Sequence, residues 1–274
     1  MIACGLRAPR PRRPFPYTGG MSSSPLSACS THAEATPASP ALLAIDTSTE
    51  RLAVAAQAHG RQLGLQEPGG PLASARLLPA VQSLLAQLGS RVSAMQAIAF
   101  GHGPGAFTGL RTACAVAQGL ALGAGCPVLP IDSLALVADD ARAQTQGRHD
   151  TVHVAMDARM NEIYAGAYRW TGERWQVLQA PALWPLVALA AHWQAEAPAC
   201  VAGSALDAFG DQLPTGNAER VPAEQDRAAA LLRLARQAWQ AGEAIDPALA
   251  LPLYLRDKVA QTTAEREAAK AATS

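Results

Sequence analysis

The chain has 274 residues, 49% of them hydrophobic and 16% charged, and its 22 basic and 22 acidic side chains give a net charge of zero. High hydrophobicity without net charge excludes a chain that is disordered throughout. The zero balance also excludes a protein that grips nucleic acid by itself, because such binding needs a basic field. The length predicts one or two globular domains.

Residues 1–40 differ in composition from the rest of the chain. They contain four arginines, seven prolines and one acid (Glu34), so residues 41–274 retain 18 basic and 21 acidic side chains, a net charge of −3. The prolines oppose the amphipathic helix of a transit peptide, and the segment lacks the apolar run of a secretory signal. We expect residues 1–40 to be a disordered leader, or to precede the true start of the protein.

The five cysteines indicate a reducing compartment. They are odd in number and scattered, without a CxxC pair. Disulfide frameworks instead use even numbers of clustered cysteines in short secreted chains. We therefore expect buried, unreactive thiols and a cytoplasmic protein.

The first half of the chain predicts strands that alternate with helices. Strands are predicted at 42–45, 52–56, 97–100 and 128–131, and helices at 74–88, 108–124 and 133–143. The polar turn Asp46–Glu50 joins the first two strands, and Ser74 is the expected cap of the first helix. Such alternation indicates an α/β sheet.

The stretch 112–131 has 20 residues without a charge, which is the length of a membrane span. It consists mostly of Ala and Gly, and Gly125-Cys126-Pro127 interrupts it near its end. Glycine followed by proline is a typical helix stop signal. We therefore expect a buried helix followed by a short strand, and no association with a membrane.

The pattern restarts after a polar break at 144–150. Strands are predicted at 151–156, 162–170, 174–180 and 200–202, and helices at 184–196 and 224–242. This order repeats that of the first half, so we predict two similar α/β lobes. Their expected limits are 41–146 and 147–260, followed by a flexible tail at 261–274.

Residues 101–111, GHGPGAFTGLR, lie between a predicted strand and a predicted helix. Phosphates bind at such places in many α/β proteins, because N–H groups at a helix start form an anion site. However, the segment lacks the lysine of a P-loop. It fits the dinucleotide pattern GxGxxA, but Phe107 separates that pattern from a helix expected to be capped by Thr108, and Pro104 removes a donor. We predict no nucleotide cofactor.

The glycines and the arginine of this segment indicate packing and contact roles. The glycines permit a tight turn and close packing of the helix against the sheet. Arg111 falls in the first helical turn, where a cation is unfavourable to the helix dipole. We therefore expect Arg111 to contact a carboxylate or a partner molecule.

The histidines do not predict a metal site. His149 and His153 have HxxxH spacing, but in a strand four residues span about 13 Å, too far for one ion. His102 lies beside the glycine-rich segment, where the sequence assigns no Ser or Cys nucleophile to it. We predict no catalytic residue and no metal.

Four segments of the chain together resemble the bacterial tRNA threonylcarbamoyladenosine biosynthesis family TsaB. They are LAIDTSTERLAVA (43–55), GPGAFTGLRTACAVAQGLA (103–121), MDARMNEIYAGAY (156–168) and PLYLRDKVA (252–260). The motif residues of the first two are Asp46, Gly103, Gly105, Thr108 and Gly109. The resemblance implies two duplicated lobes with the fold of the acetate kinase, sugar kinase, Hsp70 and actin superfamily.

The resemblance also implies a role as a non-catalytic scaffold subunit. Such subunits pair with a related catalytic subunit, TsaD, act with a small ATPase, TsaE, and meet tRNA indirectly. Together these proteins attach a threonylcarbamoyl group to N6 of adenosine 37, beside the anticodon, in tRNAs that read A-starting codons. The family binds its partner through helices of the first lobe. The expected contacts are Leu77, Val81, Leu84, Leu110, Arg111 and Val116; the alternative for each of these leucines and valines is that it is an ordinary core residue.

The chain departs from its catalytic relative at that protein's HxxxH metal motif. Ser133 and Val137 stand where the two histidines would be, and neither can replace a His ligand. The turn at 46–49 has no glycine to admit a nucleotide phosphate. Residues 73–79, ASARLLP, replace the family's common His-Ser-Glu before Leu-Leu-Pro.

Two alternatives to a scaffold subunit remain open. One is a stand-alone enzyme of the superfamily, either a nucleotide-dependent kinase or a metallopeptidase-like protein. The other is a homodimer that uses the same helix faces when no partner is present.

Overall fold

The computed structural model describes residues 39–256, in which two five-stranded sheets carry helices on their faces. The first sheet, in the order β3-β2-β1-β4-β5, contains β1 (Leu42–Asp46), β2 (Arg51–Ala58), β3 (Arg61–Pro68), β4 (Ala97–Gly103) and β5 (Val128–Asp132). The second sheet, in the order β10-β9-β6-β7-β8, contains β6 (Thr151–Asp157), β7 (Glu162–Trp170), β8 (Trp175–Pro185), β9 (Cys200–Ala202) and β10 (Glu219–Val221). The helices are α1 (Ala73–Gln87), α2 (Phe107–Ala124), α3 (Ser133–Gln144), α4 (Leu186–Glu196), α5 (Ala205–Phe209) and α6 (Arg227–Gln240). Nearly all of the predicted leader and all of the predicted tail lie outside these residues.

The two sheets have the same topology. In each sheet the first three strands form an antiparallel meander, and the fourth and fifth strands run parallel to the first. Each lobe follows the order of three strands, helix, strand, helix, strand, helix. The predicted fold class, α/β with two duplicated lobes, is confirmed.

The last helix of each lobe packs between the two sheets. Helix α6 lies on the strands of the first sheet, although it follows the second sheet in sequence, and α3 contacts β6. One apolar cluster joins Leu42 of β1, Leu136 of α3, Val154 of β6 and Leu231 of α6. The lobes therefore share a core. The lobe limits 41–146 and 147–260 stay predictions.

Strand β1 is buried on both faces. Leu42 and Ala44 face the shared core, whereas Leu43 and Ile45 face a second cluster built with α1 and α2. Successive side chains of a strand point to opposite faces, so a central strand covered on both sides is a continuous apolar run. This burial fixes the position of Asp46 at the end of the strand.

The predicted helix caps at Ser74 and Thr108 are wrong. Helix α1 begins after Leu72 and α2 after Ala106, and neither of these residues makes a side-chain cap. In α2 the Ala106 amide instead donates to the backbone of the β1–β2 loop. Packing of the loop thus replaces a capping hydroxyl.

Helix α2 includes most of the uncharged stretch that has the length of a membrane span. It ends at Gly125, whose φ of 70° gives the left-handed conformation that glycine adopts readily. None of the helices within residues 39–256 combines the length and the apolar character needed to cross a membrane.

Cys114, Cys126 and Cys200 are free and buried. Burial raises the pKa of each thiol, and for Cys200 burial together with nearby Glu219 raises the pKa to about 11. A protonated thiol is a poor nucleophile, so these side chains behave as small apolar groups.

Candidate functional site

The β1–β2 loop fills the space beside the glycine-rich segment. Thr47 Oγ1 donates to the carbonyl of Gly109 at 2.6 Å, and the Ala106 amide donates to the carbonyl of Ser48 at 2.7 Å. A Cβ atom at Gly105 would lie 2.5 Å from Ser48 O, and one at Gly109 would lie 1.7 Å from Thr47 O. These two glycines therefore let protein backbone approach the start of α2.

Two more glycines of the segment make room for other groups. A Cβ atom at Gly101 would lie 1.6 Å from Oδ2 of Asp46. Gly103 has a φ of 122°, and a Cβ atom there would lie 2.7 Å from the carbonyl oxygen of Leu253. The Gly103 amide donates to the hydroxyl of Ser133 at 3.2 Å. Each position is thus closed by a group from the chain itself.

The carboxylate of Asp46 is occupied by groups of both lobes. It accepts hydrogen bonds from the amide and hydroxyl of Ser48, each at 2.9 Å, and pairs with Nε of Arg227 at 3.2 Å. Arg227 also donates to Glu224 at 2.5 Å and to the Ser48 hydroxyl at 2.9 Å. Burial disfavours the charged guanidinium, but Asp46 and Glu224 outweigh it and raise the Arg227 pKa. The carboxylate of Asp46 is therefore neutralised within the protein.

The structure brings three of the five motif residues together. Asp46, Gly105 and Gly109 surround the β1–β2 loop, and Gly103 faces the end of the described chain. Thr108 is exposed on the surface of α2. Arg227 pairs with Asp46 and was not predicted. The residues around Arg227 form no motif that indicates this role.

A cleft of about 640 Å³ lies between the lobes in front of this group. Its walls combine apolar side chains such as Leu134 and Met156 with polar ones such as Tyr164 and Arg227. Residues 253–256 form part of the wall. The cleft can therefore take an apolar group against its apolar side chains. Its buried cation, Arg227, is already paired with Asp46.

The residues at the positions of the catalytic relative's metal ligands are buried in this chain. Ser133 and Val137 are each 2% exposed, and Val137 lies in the shared core. His149 contacts Glu219 at 2.6 Å, whereas His153 lies 3.1 Å from Glu196. Among residues 39–256 there is no group of three His, Cys, Asp or Glu side chains arranged to hold an ion.

Four of the six expected partner contacts are core residues. Leu77, Val81, Leu84 and Leu110 are at most 3% exposed, so the expectation that these side chains touch a partner is wrong. The apolar spacing that predicts a helix marks the face that is turned toward the sheet. Arg111 is exposed, and Val116 is partly buried.

The exposed surface of α1 and α2 consists of the residues between the buried ones. Leu78 is 43% exposed and Leu122 is 65% exposed. Gly119 lies on the same helix as Leu122, and a Cβ atom there would have no atom of the chain within 4 Å. The helical period of 3.6 residues separates this outer face from the apolar stripe, and could have located it.

Arg111 finds its partners among aromatic residues of its own chain. Its guanidinium lies 3.8 Å from the centre of the Phe107 ring, and its Nε donates to the hydroxyl of Tyr254 at 3.0 Å. A cation over an aromatic ring is stabilised by the ring's negative face. Arg111 therefore contacts no carboxylate among the described residues, and its contact with a partner molecule stays a prediction.

The sequence is similar to proteins named for the threonylcarbamoylation of tRNA. A family model described as TsaD, tRNA N6-adenosine threonylcarbamoyltransferase, matches residues 72–199. The tRNA threonylcarbamoyladenosine biosynthesis protein TsaB of Escherichia coli is 31% identical over 227 residues, which cover 80% of this chain and 96% of that protein. TsaB of Haemophilus influenzae is 43% identical over 123 residues, and this match spans 45% of the chain and about half (51%) of the relative.

A solved structure shows the same fold. YeaZ from Pseudomonas aeruginosa is 39% identical, and the match covers 79% of this chain and 100% of that chain with a TM-score of 0.71. A second structure from that organism, described as an uncharacterized protein with similarity to peptidase YeaZ, has a TM-score of 0.72. The identity to the E. coli protein extends over nearly all of that relative. The chain therefore belongs to the TsaB family of tRNA threonylcarbamoyladenosine biosynthesis proteins.

Proposed function

We propose that this chain is the non-catalytic subunit that supports a TsaD-like transferase in the threonylcarbamoylation of adenosine 37 in tRNAs that read A-starting codons. It acts in the cytoplasm together with a TsaE-like ATPase and meets tRNA indirectly, through its partner. Membership of the TsaB family supports the pathway, because the E. coli and H. influenzae relatives are named for it. The net charge of −3 over residues 41–274 supports indirect contact with tRNA.

The non-catalytic role rests on the ion pair between Asp46 and Arg227. A carboxylate at the end of β1 would face the interlobe cleft as a ligand for a cation, but here a guanidinium from the other lobe neutralises it. A phosphate would need the space beside Gly105 and Gly109. Ser48 and Thr47 fill that space. These contacts leave the loop without a free anion site, which supports a structural role over nucleotide chemistry.

The outer face of α1 and α2 is the proposed partner surface. Of the residues expected from sequence, Val116 is only partly buried and Arg111 is exposed, although the Arg111 side chain already contacts Phe107 and Tyr254 of its own chain. Leu78, Gly119 and Leu122 join them, since all three are exposed on these two helices. A TsaD-like subunit that covers these leucines would remove apolar surface from water, which favours association.

Co-purification with a TsaD-like subunit tests the role and the surface together. The Gly119→Trp variant places a large side chain in open space, so we expect it to fold normally and to weaken the complex at least about tenfold. The matched control is Ala191→Trp, because Ala191 is an exposed residue of α4 in the other lobe. We expect the control to bind as the unchanged chain does.

Three outcomes contradict the proposal. The first is no complex with the TsaD-like subunit at micromolar concentration. The second is unchanged threonylcarbamoyladenosine, measured by mass spectrometry of tRNA, after the protein is depleted from its source cell. The third is a homodimer in light scattering that persists when the TsaD-like subunit is added.

A further inference from the structure

The end of the described chain crosses the mouth of the interlobe cleft. In the first lobe, the Leu253 amide donates to the carbonyl of His102 at 2.7 Å. The ring of Tyr254 lies 5.0 Å from that of Phe107, and its hydroxyl accepts a hydrogen bond from Arg111. These contacts hold the segment over the glycine-rich turn.

The same segment reaches the second lobe through Arg256. Its Nη2 donates to Oε2 of Glu162 at 2.5 Å and to the carbonyl of Arg159 at 3.1 Å. Both acceptors lie at the β6–β7 turn of the second lobe, whereas Phe107 lies at the start of α2 in the first lobe. The segment is therefore fastened at two points, one on each lobe.

The residue that precedes the segment is held in the core. Ala250 is 1% exposed and belongs to the apolar cluster beneath α2. Its carbonyl accepts hydrogen bonds from the thiol of Cys114 at 3.5 Å and from the amide side chain of Gln118 at 3.1 Å. Ala250 is thus a fixed point from which residues 251–256 extend.

Residues 251–256 differ from the two lobes in secondary structure and exposure. They form no helix or strand, and Leu251 and Tyr254 are 73% and 40% exposed. The lobes, by contrast, share a continuous core through α3 and α6. Segments with few buried apolar contacts open locally at low free energy while the core stays closed. Opening of this segment therefore does not require the lobes to separate.

We propose that residues 251–256 are a hinged lid on the interlobe cleft, which turns at Ala250 and is fastened by the Arg256–Glu162 ion pair and the Tyr254–Phe107 contact. Residues 253–256 form one wall of the cleft, so opening the lid uncovers the apolar wall around Leu110 and Leu134. Because glycine has no side chain, Gly103 lets the carbonyl of Leu253 in the lid pack directly against the turn. Opening of the lid therefore widens access to this wall of the cleft.

Hydrogen exchange of the full chain, read by mass spectrometry, tests the lid. In the Arg256→Gln variant we expect the amide of Leu253 to exchange about two- to fivefold faster, since a partly exposed ion pair stabilises contacts by that order. The matched control is Arg148→Gln, which removes an exposed ion pair with Glu219 elsewhere in the second lobe. Arg256→Glu combined with Glu162→Arg should restore part of the slow exchange, because it restores the ion pair but not the hydrogen bond to the Arg159 carbonyl.

Thiol alkylation shows where the segment turns and whether the cleft opens. In Arg256→Gln we expect faster labelling of a cysteine placed in the cleft wall by Ala158→Cys, and unchanged labelling of Cys114, because Ala250 stays in place. Unchanged exchange at Leu253, or unchanged labelling at position 158, overturns the proposal. Faster labelling of Cys114 overturns it as well, because Ala250 then detaches together with residues 251–256 and is no hinge. Cys200 lies in the core that the two lobes share and reports global unfolding.

Discussion

Arg227, the first residue of α6, and Asp46, the last residue of β1, form a buried ion pair between the two lobes. Arg227 Nε lies 3.2 Å from Asp46 Oδ1, and both side chains are at most 2% exposed. Ser48 and Glu224 satisfy the remaining groups of the pair. The pair thus fixes the β1–β2 loop against the second lobe's last helix.

Replacing Arg227 with methionine should destabilise the protein by about 3–5 kcal/mol, because Asp46 is then left buried without its counter-ion. Urea unfolding measures the change. Replacing both residues by apolar ones, as Asp46→Leu with Arg227→Met, should recover part of the loss, since no unpaired charge remains. Arg148→Gln removes an exposed ion pair. If Arg227→Met lowers the free energy of unfolding no more than Arg148→Gln does, this account is contradicted.

Gly109→Ala should destabilise the protein by about 1–3 kcal/mol or more, because its Cβ would lie 1.7 Å from the carbonyl oxygen of Thr47. Gly119→Ala on the same helix should instead stabilise the protein by up to about 1 kcal/mol, since the site is open and alanine favours helix. Thermal unfolding of the two variants gives the comparison. Equal effects on the melting temperature would show that the loop does not press on α2.

Tyr168→Phe should destabilise the protein in a pH-dependent way. Burial raises the Asp132 pKa, and the Tyr168 hydroxyl, which donates to this carboxylate at 2.7 Å, partly offsets the effect. Without the hydroxyl the folded-state pKa rises further above the unfolded one, so the folded variant binds more protons as the pH falls. The loss should be about 1–3 kcal/mol at alkaline pH, where Asp132 is ionised, and should shrink as the pH falls through the raised pKa of Asp132. Urea midpoints across this pH range measure it.

The Asp132→Asn background is the control for this effect. Asparagine retains an oxygen that can accept from the Leu134 amide, which Asp132 caps at 2.8 Å, but it does not titrate. In that background Tyr168→Phe should therefore cost the same at every pH. A pH dependence that persists there would assign the titration to another group.

The long elements could be predicted from sequence because each has a strong apolar pattern. Strand β3 was not predicted. Arg61–Pro68 is an edge strand with only two large apolar side chains, Leu63 and Leu65, so its apolar pattern is weak. Its signal is the pair His59-Gly60, both with positive φ, which forms a tight hairpin turn. Strand β10 and helix α5 are only three and five residues long. Strand β9 is equally short but was predicted, because Cys200-Val201-Ala202 is wholly apolar, whereas two of the three residues of β10 are charged.

The candidate site was predictable only in part. The resemblance located Asp46 and the glycines, but the pairing of Asp46 with Arg227 joins residues 181 positions apart. No local pattern encodes such a contact, since it depends on how α6 returns to the first sheet.

The expected partner contacts on α1 were wrong for a simpler reason. Leu77, Val81 and Leu84 belong to the stripe that makes α1 amphipathic, and that stripe is the buried one.

The adjacent residues Leu77 and Leu78 should therefore respond in opposite ways. Leu77→Ala removes a fully buried side chain, so it should lower stability by about 2–5 kcal/mol while leaving the affinity of the folded protein for a TsaD-like subunit unchanged. Leu78→Asp alters an exposed position, so it should leave the melting temperature unchanged and weaken the complex at least about tenfold. Calorimetric titration below both melting temperatures separates the effects. Weaker binding by folded Leu77→Ala, with normal binding by Leu78→Asp, would move the partner surface away from this face.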